Sequence, residues 1–448
     1  MSKAAIMEWI EQHKQTYTAM AQDIWDHPQT AYEEEYASEL QSNALNEAGF
    51  SISKPIADIP TAFVAEYGQG EPVIGILGEF DALPGLSQKA GPDKEEVVQN
   101  GPGHGCGHNL LGTAGVEAVI ALKETMEAEG IQGTIRYYGC PAEEVLSGKT
   151  YMAKSGVFDD LDSALTWHPM TGNAVMHKAM QSMVSVKFHF KGKPAHAAAS
   201  PEAGRSALDS VELMNIGTNY LREHVPDGTR MHYTITDGGL APNIVPESAT
   251  VWYFLRARSK AEVEGILHRV EKIAKGAAMM SETEVESEIL AFAYDTLPND
   301  PLNELMYKNM QESNPLAYTE EEQEFAQNLA KSLPTQGKPI EELLRTSISF
   351  SPYQAGSSIP GSTDVGDVSW IVPTGMVTTT CAPAGTALHS WQATASFGTQ
   401  IGYKGMHLAA STMALTAYDL LKNEGDILGQ AKETFDKLRD GKVYEAGI

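Results

Sequence analysis

The sequence predicts an α/β protein with a mixed, mostly parallel sheet flanked by helices, interrupted by an inserted ferredoxin-like α+β domain. First, a strand, a helix and a strand follow one another between Pro72 and Gly139, which is typical of a βαβ unit in a parallel sheet. Second, the strands and helices predicted between residues 181 and 300 follow the order βαββαβ, which is typical of a ferredoxin-like domain. Third, 448 residues exceed what one hydrophobic core usually organises. We therefore predict a catalytic domain over residues 1–180 and 301–448, with residues 181–300 inserted.

Composition narrows the range of functions. The 32 Lys and Arg residues face 59 Asp and Glu residues, giving a formal net charge of −27. Such a surface repels nucleic acid and anionic membranes, so neither is an expected partner. The three cysteines are too far apart to suggest a disulfide framework, which favours a reducing compartment. With no transmembrane run and no signal peptide, a cytoplasmic location is expected.

The elements of the first segment alternate between helices and strands. The apolar patterns predict helices from Met1 to Trp25, from Tyr32 to Asn46 and from Asn109 to Glu129, and strands at Thr61–Tyr67, Pro72–Leu77, Gly133–Gly139 and Leu161–Trp167. A loop from Ala82 to Gly107 separates the second strand from the third helix. A loop of this length inside a compact domain is usually functional or disordered.

The insert and the segment after it also show apolar patterns typical of strands and helices. For the insert we predict strands at Ser182–Phe190, Met231–Thr236, Ser248–Arg256 and Glu284–Leu290 and helices at Ser206–Arg222 and Lys260–Ala278. Beyond it we predict a helix at Thr319–Leu333 with a capping box, a strand at Met376–Cys381 and a last helix at Gly405–Leu421.

Side chains that ligate metals follow several of the predicted strands. Cys106 and His108 close the glycine-rich loop, the pair Glu143 and Glu144 follows the strand ending at Gly139, and His168 follows the strand ending at Trp167. Since sites in open parallel sheets form beyond the carboxyl ends of the strands, these segments are expected to meet at one edge.

A hydrolytic metal site needs several N, O or S ligands and a carboxylate that carries a proton. The candidate ligands are Cys106, His108, Glu144, His168 and His389. Neighbouring carboxylates in a tight turn repel one another unless a cation lies between them, which favours a metal beside Glu143 and Glu144. The simplest division of roles places Glu144 on the metal and makes Glu143 the candidate general base. Other interpretations stay open: Cys106 could be a buried thiol, the Glu pair a solvated turn, and His389 has no local partner.

Five motifs carry a resemblance to a known family. They are Gly78–Gly85 (GEFDALPG), His104–Asn109 (HGCGHN), Pro141–Glu144 (PAEE), Trp167–Pro169 (WHP) and His389–Trp391 (HSW). In this order they resemble the metal-dependent amidohydrolase and carboxypeptidase superfamily, which includes aminoacylases, hippurate hydrolases and indole-acetyl-amino-acid hydrolases. Gly238–Pro246 and Trp252–Ala257 are most similar to its p-aminobenzoyl-glutamate hydrolase branch.

The resemblance implies a site and an assembly. It implies two divalent metal ions, zinc or manganese, held by the five candidate ligands, with Glu143 as general base. It implies that the insert is a lid and dimerisation domain, and that His196 reaches a neighbouring subunit's site to stabilise the oxyanion. Asn243 and Arg256 match positions that hold the substrate's amide or carboxylate. The dimer would be a homodimer or a heterodimer with a homologous subunit.

Some positions depart from the pattern or allow a structural interpretation. Many relatives carry Asp where this chain has Glu79 and Asn109, whereas Asp81 is retained and is expected to orient a ligand histidine. His196 could instead be a surface histidine, and Arg256 could pair with an acidic neighbour within its own sheet.

Together these features predict a metal-dependent hydrolase that cleaves the amide bond of an N-acyl or N-aroyl amino acid such as p-aminobenzoyl-glutamate. One rival is a dipeptidase acting on β-alanyl-type dipeptides. The other is a catalytically silent partner subunit, against which the retained Glu143 and full ligand set argue.

Overall fold

The computed structural model describes residues 3–313 and 316–448. Met1 and Ser2, where the first predicted helix begins, lie outside this part of the chain. Its helices are α1 (Lys3–Asp26), α2 (Glu35–Glu47), α3 (His108–Glu129), α4 (Gly148–Lys154), α5 (Ala207–Leu221), α6 (Lys260–Ser281), α7 (Asp300–Ser313), α8 (Glu320–Ala330), α9 (Ile340–Leu343), α10 (Val365–Ser369), α11 (Trp391–Phe397), α12 (Gln400–Lys422) and α13 (Ile427–Arg439).

The strands of the same part of the chain are β1 (Ser51–Ser53), β2 (Phe63–Gln69), β3 (Val73–Glu79), β4 (Gly133–Cys140), β5 (Ser163–Met170), β6 (Asn173–Val175), β7 (Ala179–Met180), β8 (Ser182–Lys191), β9 (Arg230–Asp237), β10 (Ser248–Ala257), β11 (Glu284–Ala293), β12 (Ile348–Ser349), β13 (Ser358–Ile359) and β14 (Thr374–Thr380). The predicted strands and helices of both domains correspond to elements of these two sets. The capping box predicted at Thr319 is present, with Glu322 as its reciprocal partner.

The chain divides into two compact units. The first comprises 1–178, 297–355 and 368–444, and the second comprises 179–296, 356–367 and 445–448. The two short segments of the second unit differ from the predicted division, which assigned them to the catalytic domain. Their placement follows from pairing at long sequence separation: β13 is parallel to β7, and the Tyr294 hydroxyl contacts the main chain of Glu445.

The first unit is built on an eight-stranded mixed sheet with the order β1-β2-β4-β3-β5-β14-β6-β12. Its four central strands, β4, β3, β5 and β14, run parallel to one another. β3 is buried over almost its whole length, as expected for the middle of a parallel sheet covered on both faces. The parallel arrangement directs the carboxyl ends of these four strands to one edge.

Helix α3 is the central helix of this unit. It is buried on nearly every side because it packs against α1, α12 and the sheet. Gly112 and Gly115 allow this close approach, since a Cβ at Gly112 would lie 2.6 Å from the carbonyl oxygen of Glu79. The helix therefore holds its first residue, His108, at a fixed position next to the end of β3.

The second unit is a four-stranded antiparallel sheet with the order β11-β8-β10-β9, with α5 and α6 packed on one face. The buried alternate residues of β8 and β10, among them Val184, Val186, Val251 and Leu255, form its core with these helices. The connectivity βαββαβ is that of the predicted ferredoxin-like insert, so the predicted fold class is confirmed. β9 is an edge strand of this sheet.

Within residues 3–313 and 316–448, no helix combines the length and the apolar character that a transmembrane span requires.

Candidate metal centre

The candidate ligands of the first unit lie at the edge where the parallel strands end. β3 ends at Glu79, and β4 ends at Cys140, directly before the turn that carries Glu143 and Glu144. β5 runs to Met170, so His168 lies inside the strand, and not directly after it as the sequence analysis predicted. His108 opens α3 behind Gly107, which adopts a φ of +79° and whose Cβ position would lie 2.9 Å from Pro169. A glycine is therefore required at this turn.

His108 is fixed by Asp81. Its Nδ1 lies 2.9 Å from Asp81 Oδ1 and 3.1 Å from the carbonyl oxygen of Asp81, and both side chains are buried. With Nδ1 occupied, Nε2 is the nitrogen that faces the site, where it is buried without a hydrogen-bond partner. This is how a carboxylate usually orients a metal-ligating histidine.

Two buried carboxylates hold the turn that carries Glu143 and Glu144. The amide of Glu144 donates to Asp81 Oδ2 at 2.8 Å, and the amide of Ala142 donates to Glu34 Oε1 at 2.8 Å. Ala142 has a φ of +56°, a conformation that an alanine adopts only when its surroundings enforce it. The turn is thus fastened at two points, one on each side of Glu143.

Cys106 and His168 form the next contact. Cys106 Sγ lies 3.4 Å from His168 Nε2, while the Nδ1 of His168 lies 2.9 Å from the carbonyl oxygen of Pro169. Each side chain therefore directs its ligand atom toward the other.

His389 reaches the same edge from the loop after β14. Its amide donates to the carbonyl of Gly105 at 2.9 Å, and its Nε2 lies 3.3 Å from Glu144 Oε2. Its side chain is 53% exposed, whereas that of Glu144 is 7% exposed. His389 thus lies at the open side of the cluster.

These contacts assemble three overlapping groups of ligand atoms, each group within 4.8 Å. The groups are Cys106, His108 and His168; Cys106, Glu144 and His389; and Glu79, His108 and Glu143. The structure thus brings together all five candidate ligands and Glu143. The third group contains Glu79, which the sequence analysis noted only as a departure.

The electrostatics of the cluster favour the binding of a cation. Burial raises the pKa of Glu144 to about 7 and raises the pKa of the Cys106 thiol, with the Glu144 carboxylate as the next cause for the thiol. Burial lowers the pKa of His168 to about 4, which keeps its imidazole in the neutral, metal-binding form. A divalent ion would stabilise the thiolate and carboxylate forms that burial opposes.

The remaining predicted site residues lie in the second unit. His196 is exposed, and its Nδ1 accepts hydrogen bonds from the amides of Ala198 and Ala199 at 3.2 and 3.1 Å. Asn243 is exposed, and its carbonyl accepts from the amide of Ala197 at 3.1 Å. The short loops that carry His196 and Asn243 are therefore neighbours.

Arg256, on β10, is half-buried and its guanidinium lies 5.2 Å from the ring centroid of Phe254. Burial lowers its pKa. In the described part of the chain no acidic side chain forms a salt bridge with it, so the pairing considered in the sequence analysis is not observed.

Sequence reasoning missed two residues at this site. Glu34 lies outside the five family motifs, and its hydrogen bond from the amide of Ala142 connects it to the turn that carries Glu143 and Glu144. Lys149 follows the Glu pair closely along the chain, at the start of α4, and its Nζ lies 2.6 Å from Glu79 Oε1. A lysine five residues after Glu144 was the signal available in the sequence.

Comparison with known proteins identifies the family. The sequence model of the peptidase dimerisation domain family matches residues 179–279 of this chain. The B subunit of the p-aminobenzoyl-glutamate hydrolase of Escherichia coli K12 is 42% identical, with 98% of this chain and 96% of that protein aligned. The chain belongs to the M20 peptidase family. It is accordingly a hydrolase that acts on carbon–nitrogen bonds, as the motifs predict.

Other M20-type relatives extend the comparison. The Xaa-Arg dipeptidase of Mus musculus is 29% identical over 98% of this chain and 94% of its own length. Among solved structures, an aminobenzoyl-glutamate utilization protein from Klebsiella pneumoniae matches with a TM-score of 0.64 at 18% identity, covering 92% of this chain and 97% of that one. A dinuclear metal binding M20 peptidase from Bacillus subtilis matches with a TM-score of 0.60 at 16% identity, covering 92% and 99%. These two structures share the M20 fold.

Proposed function

We propose that this protein is a metal-dependent hydrolase that cleaves the amide bond of an N-acyl or N-aroyl amino acid, with p-aminobenzoyl-glutamate as the first candidate substrate. The observation that carries the proposal is the convergence of five ligand-type side chains on one sheet edge with Glu143 directly beside them. The substrate class comes from the full-length similarity to the E. coli hydrolase.

The donor set fits a pair of divalent metal ions, zinc or manganese. Cys106, His108, Glu144, His168 and His389 would hold them. Two buried atoms that face the cluster, Nε2 of His108 and Oε1 of Glu144, make no hydrogen bond within the described chain, which is unusual for buried polar atoms unless a ligand satisfies them. Such ions, when bound, polarise a carbonyl group and make water more acidic.

Glu143 is the proposed general base. Its side chain is 9% exposed, and its Oε2 lies 3.9 Å from His108 Nε2, so it borders the metal ligands and is still reached by solvent. In this role its carboxylate takes a proton from water and passes it to the leaving nitrogen of the amide. Asp81 acts through His108 and Glu144, which it positions.

His196 is the proposed oxyanion donor. Because its Nδ1 accepts two main-chain hydrogen bonds, the proton of the neutral ring lies on Nε2, which is the tautomer that donates to an oxyanion. By the resemblance it would serve the site of a neighbouring subunit. Asn243 and Arg256 are the proposed contacts to the substrate amide and carboxylate. An arginine without an acidic partner is suited to bind a carboxylate.

A dimer is the proposed assembly. β9 leaves one edge of the second sheet unpaired, and its Tyr233 and Ile235 are 37% and 42% exposed. On α5 of the same unit, Ile216 and Tyr220 are 52% and 75% exposed. Exposed strand edges and apolar side chains of this kind favour association with another chain. This surface fits a homodimer as well as a heterodimer with a homologous chain. A cytoplasmic location is also proposed.

A dipeptidase activity is the second candidate. It is favoured by the match to the mouse Xaa-Arg dipeptidase, which spans nearly all of both chains. A dipeptide carries a free amine that an acylated amino acid lacks. A panel of acyl-glutamates, β-alanyl dipeptides and arginyl dipeptides therefore separates the two activities.

The first experiment measures hydrolysis of p-aminobenzoyl-glutamate by chelator-treated protein with and without Mn²⁺ or Zn²⁺. We expect metal to restore activity, and Glu143→Gln to lose about 10²–10⁴-fold in kcat with an unchanged metal content. Glu341→Gln, which alters an exposed carboxylate on α9, is the matched control and should behave as the wild type. Failure of every amide in the panel in the presence of bound metal would contradict the proposed hydrolase unless adding a homologous chain restores turnover.

A further inference from the structure

A fully buried lysine lies at the edge of the proposed metal centre. Lys149 is 0% exposed, which is rare for a lysine, and its Nζ lies 2.6 Å from Oε1 of Glu79, itself 1% exposed. Its position is fixed by the turn before α4, because Gly148 packs so closely that a Cβ there would lie 1.7 Å from the carbonyl oxygen of Pro141. Since a buried ion pair often adds little to stability, its presence here calls for another role.

The second oxygen of Glu79 faces the metal ligands. Oε2 lies 3.3 Å from Nε2 of His108, yet the two atoms do not form a hydrogen bond. Oε2 of Glu143 lies 3.9 Å from the same nitrogen. Donor atoms that lie this close without bonding one another, all within 4.8 Å, are arranged as ligands around a common point.

We propose that Glu79 is an additional metal donor through Oε2, and that Lys149 is its positioning residue. This inference rests on the metal centre of the proposed function and adds a sixth protein side chain to it. Lys149 occupies Oε1, so Glu79 can offer only one oxygen to the ion, as a monodentate ligand. A zinc or manganese ion accepts a carboxylate oxygen in this way.

Lys149 also balances charge before the metal binds. Glu79, Asp81, Glu143 and Glu144 place four carboxyl groups around His108, and carboxylates this close repel one another. The ammonium group of Lys149 offsets part of this repulsion in the metal-free protein. Removing it should therefore destabilise the metal-free state more than the metal-bound state.

The metal affinities of the two single variants should therefore change in opposite directions. Glu79→Gln removes a donor and a negative charge, so metal affinity falls, by about 10- to 100-fold. Lys149→Met leaves the negative charge without its internal partner, so the metal-free protein melts at a lower temperature and the affinity for metal rises, by about tenfold. An ion pair that only supports the fold would lower the melting temperature equally with and without metal.

The test uses the full chain and four variants: Glu79→Gln, Lys149→Met, the double variant and Lys154→Met. Lys154 is an exposed lysine on the same short helix and serves as the matched control. Metal content is measured by elemental analysis, the dissociation constants of Mn²⁺ and Zn²⁺ by competition with a chelator, and the melting temperature with and without each metal.

We expect weaker metal binding in Glu79→Gln, tighter binding in Lys149→Met and wild-type behaviour in Lys154→Met. The double variant replaces the ion pair by two neutral side chains, so it should fold even if a single variant does not, and its metal affinity should match that of Glu79→Gln. Wild-type metal affinity in both Glu79→Gln and the double variant would overturn the inference alone. A wild-type protein that binds no metal would overturn the proposed function as well.

Discussion

Asp81 uses both of its carboxylate oxygens on two different site residues: Oδ1 lies 2.9 Å from Nδ1 of His108, and Oδ2 accepts the amide of Glu144 at 2.8 Å. One buried carboxylate thereby sets both the ring orientation of one candidate ligand and the main-chain position of another. Although burial opposes it, the Asp81 carboxylate raises the pKa of His108 above its ordinary value.

Asp81→Asn should weaken metal binding. The amide side chain keeps the size of Asp81 but has one acceptor oxygen, so it cannot accept from both His108 and Glu144. We expect a 10- to 100-fold lower metal affinity, of the order found when the partner of a ligand histidine is removed. Chelator competition measures it, with Asp93→Asn in the exposed loop as the control. Unchanged affinity would mean that Asp81 does not orient the ligands.

Glu34→Gln should change how stability depends on pH. Burial, and then the Asp81 carboxylate, raise the pKa of Glu34 from 4.5 to about 7. A raised folded-state pKa gives stability that is full below pH 4.5 and is lost as pH rises through 7, by about 3 kcal/mol. The glutamine of this variant stays neutral at both pH values. Its oxygen can accept from the amides of Tyr32 and Ala142, and its NH2 group can donate to the Thr61 hydroxyl. Melting curves at pH 5 and pH 8 should show a larger loss in the wild type than in the variant, and parallel losses would contradict this role.

Gly148→Ala should disrupt the turn that carries Glu143, the proposed general base. A Cβ at this position would lie 1.7 Å from the carbonyl oxygen of Pro141, so the backbone must move. We expect a loss of at least about 2 kcal/mol in the free energy of unfolding together with a loss of activity. Gly265→Ala in α6 is the control, because its Cβ meets no atom within 4 Å. That change should stabilise the protein by about 0.5–1 kcal/mol and leave activity unchanged.

A mixing experiment tests whether His196 serves the neighbouring subunit. Glu143→Ala and His196→Ala should each be nearly inactive as a homodimer. After joint unfolding and refolding in equal amounts, half of the dimers should be mixed, and each mixed dimer should contain one site with both residues intact. Activity should return to about a quarter of that of the wild type. If His196 acts within its own chain, or if no dimer forms, activity does not return.

Positions that local pattern and strand direction together determine could be predicted from the sequence. The apolar runs of β3, β4 and β5 indicate buried parallel strands, and residues that follow such strands meet at one edge. This is why Cys106, Glu144 and His168 could be grouped without coordinates. His389 was the weakest of the candidate ligands before the resemblance was considered, since nothing in its own segment predicts a partner.

Contacts between residues far apart along the chain could not be predicted in the same way. Glu34 meets Ala142 across 108 positions, and neither the helix-start pattern around Glu34 nor the Pro141–Glu144 motif indicates this pairing. Glu79 was noted only as a departure from the family pattern and Lys149 was not singled out, and it is their burial and their contact that pair them. Buried polar pairs of this kind depend on the completed packing of several elements.

The second unit is discontinuous, and this restricts protein engineering. Ile448 packs against its core, and the Tyr294 hydroxyl contacts the main chain of Glu445, so residues 445–448 contribute to a unit that begins at Ala179. Excising the span between 179 and 296 would leave behind two pieces of its packing, at 356–367 and 445–448. A chimaera with a relative must therefore exchange all three pieces of the second unit together.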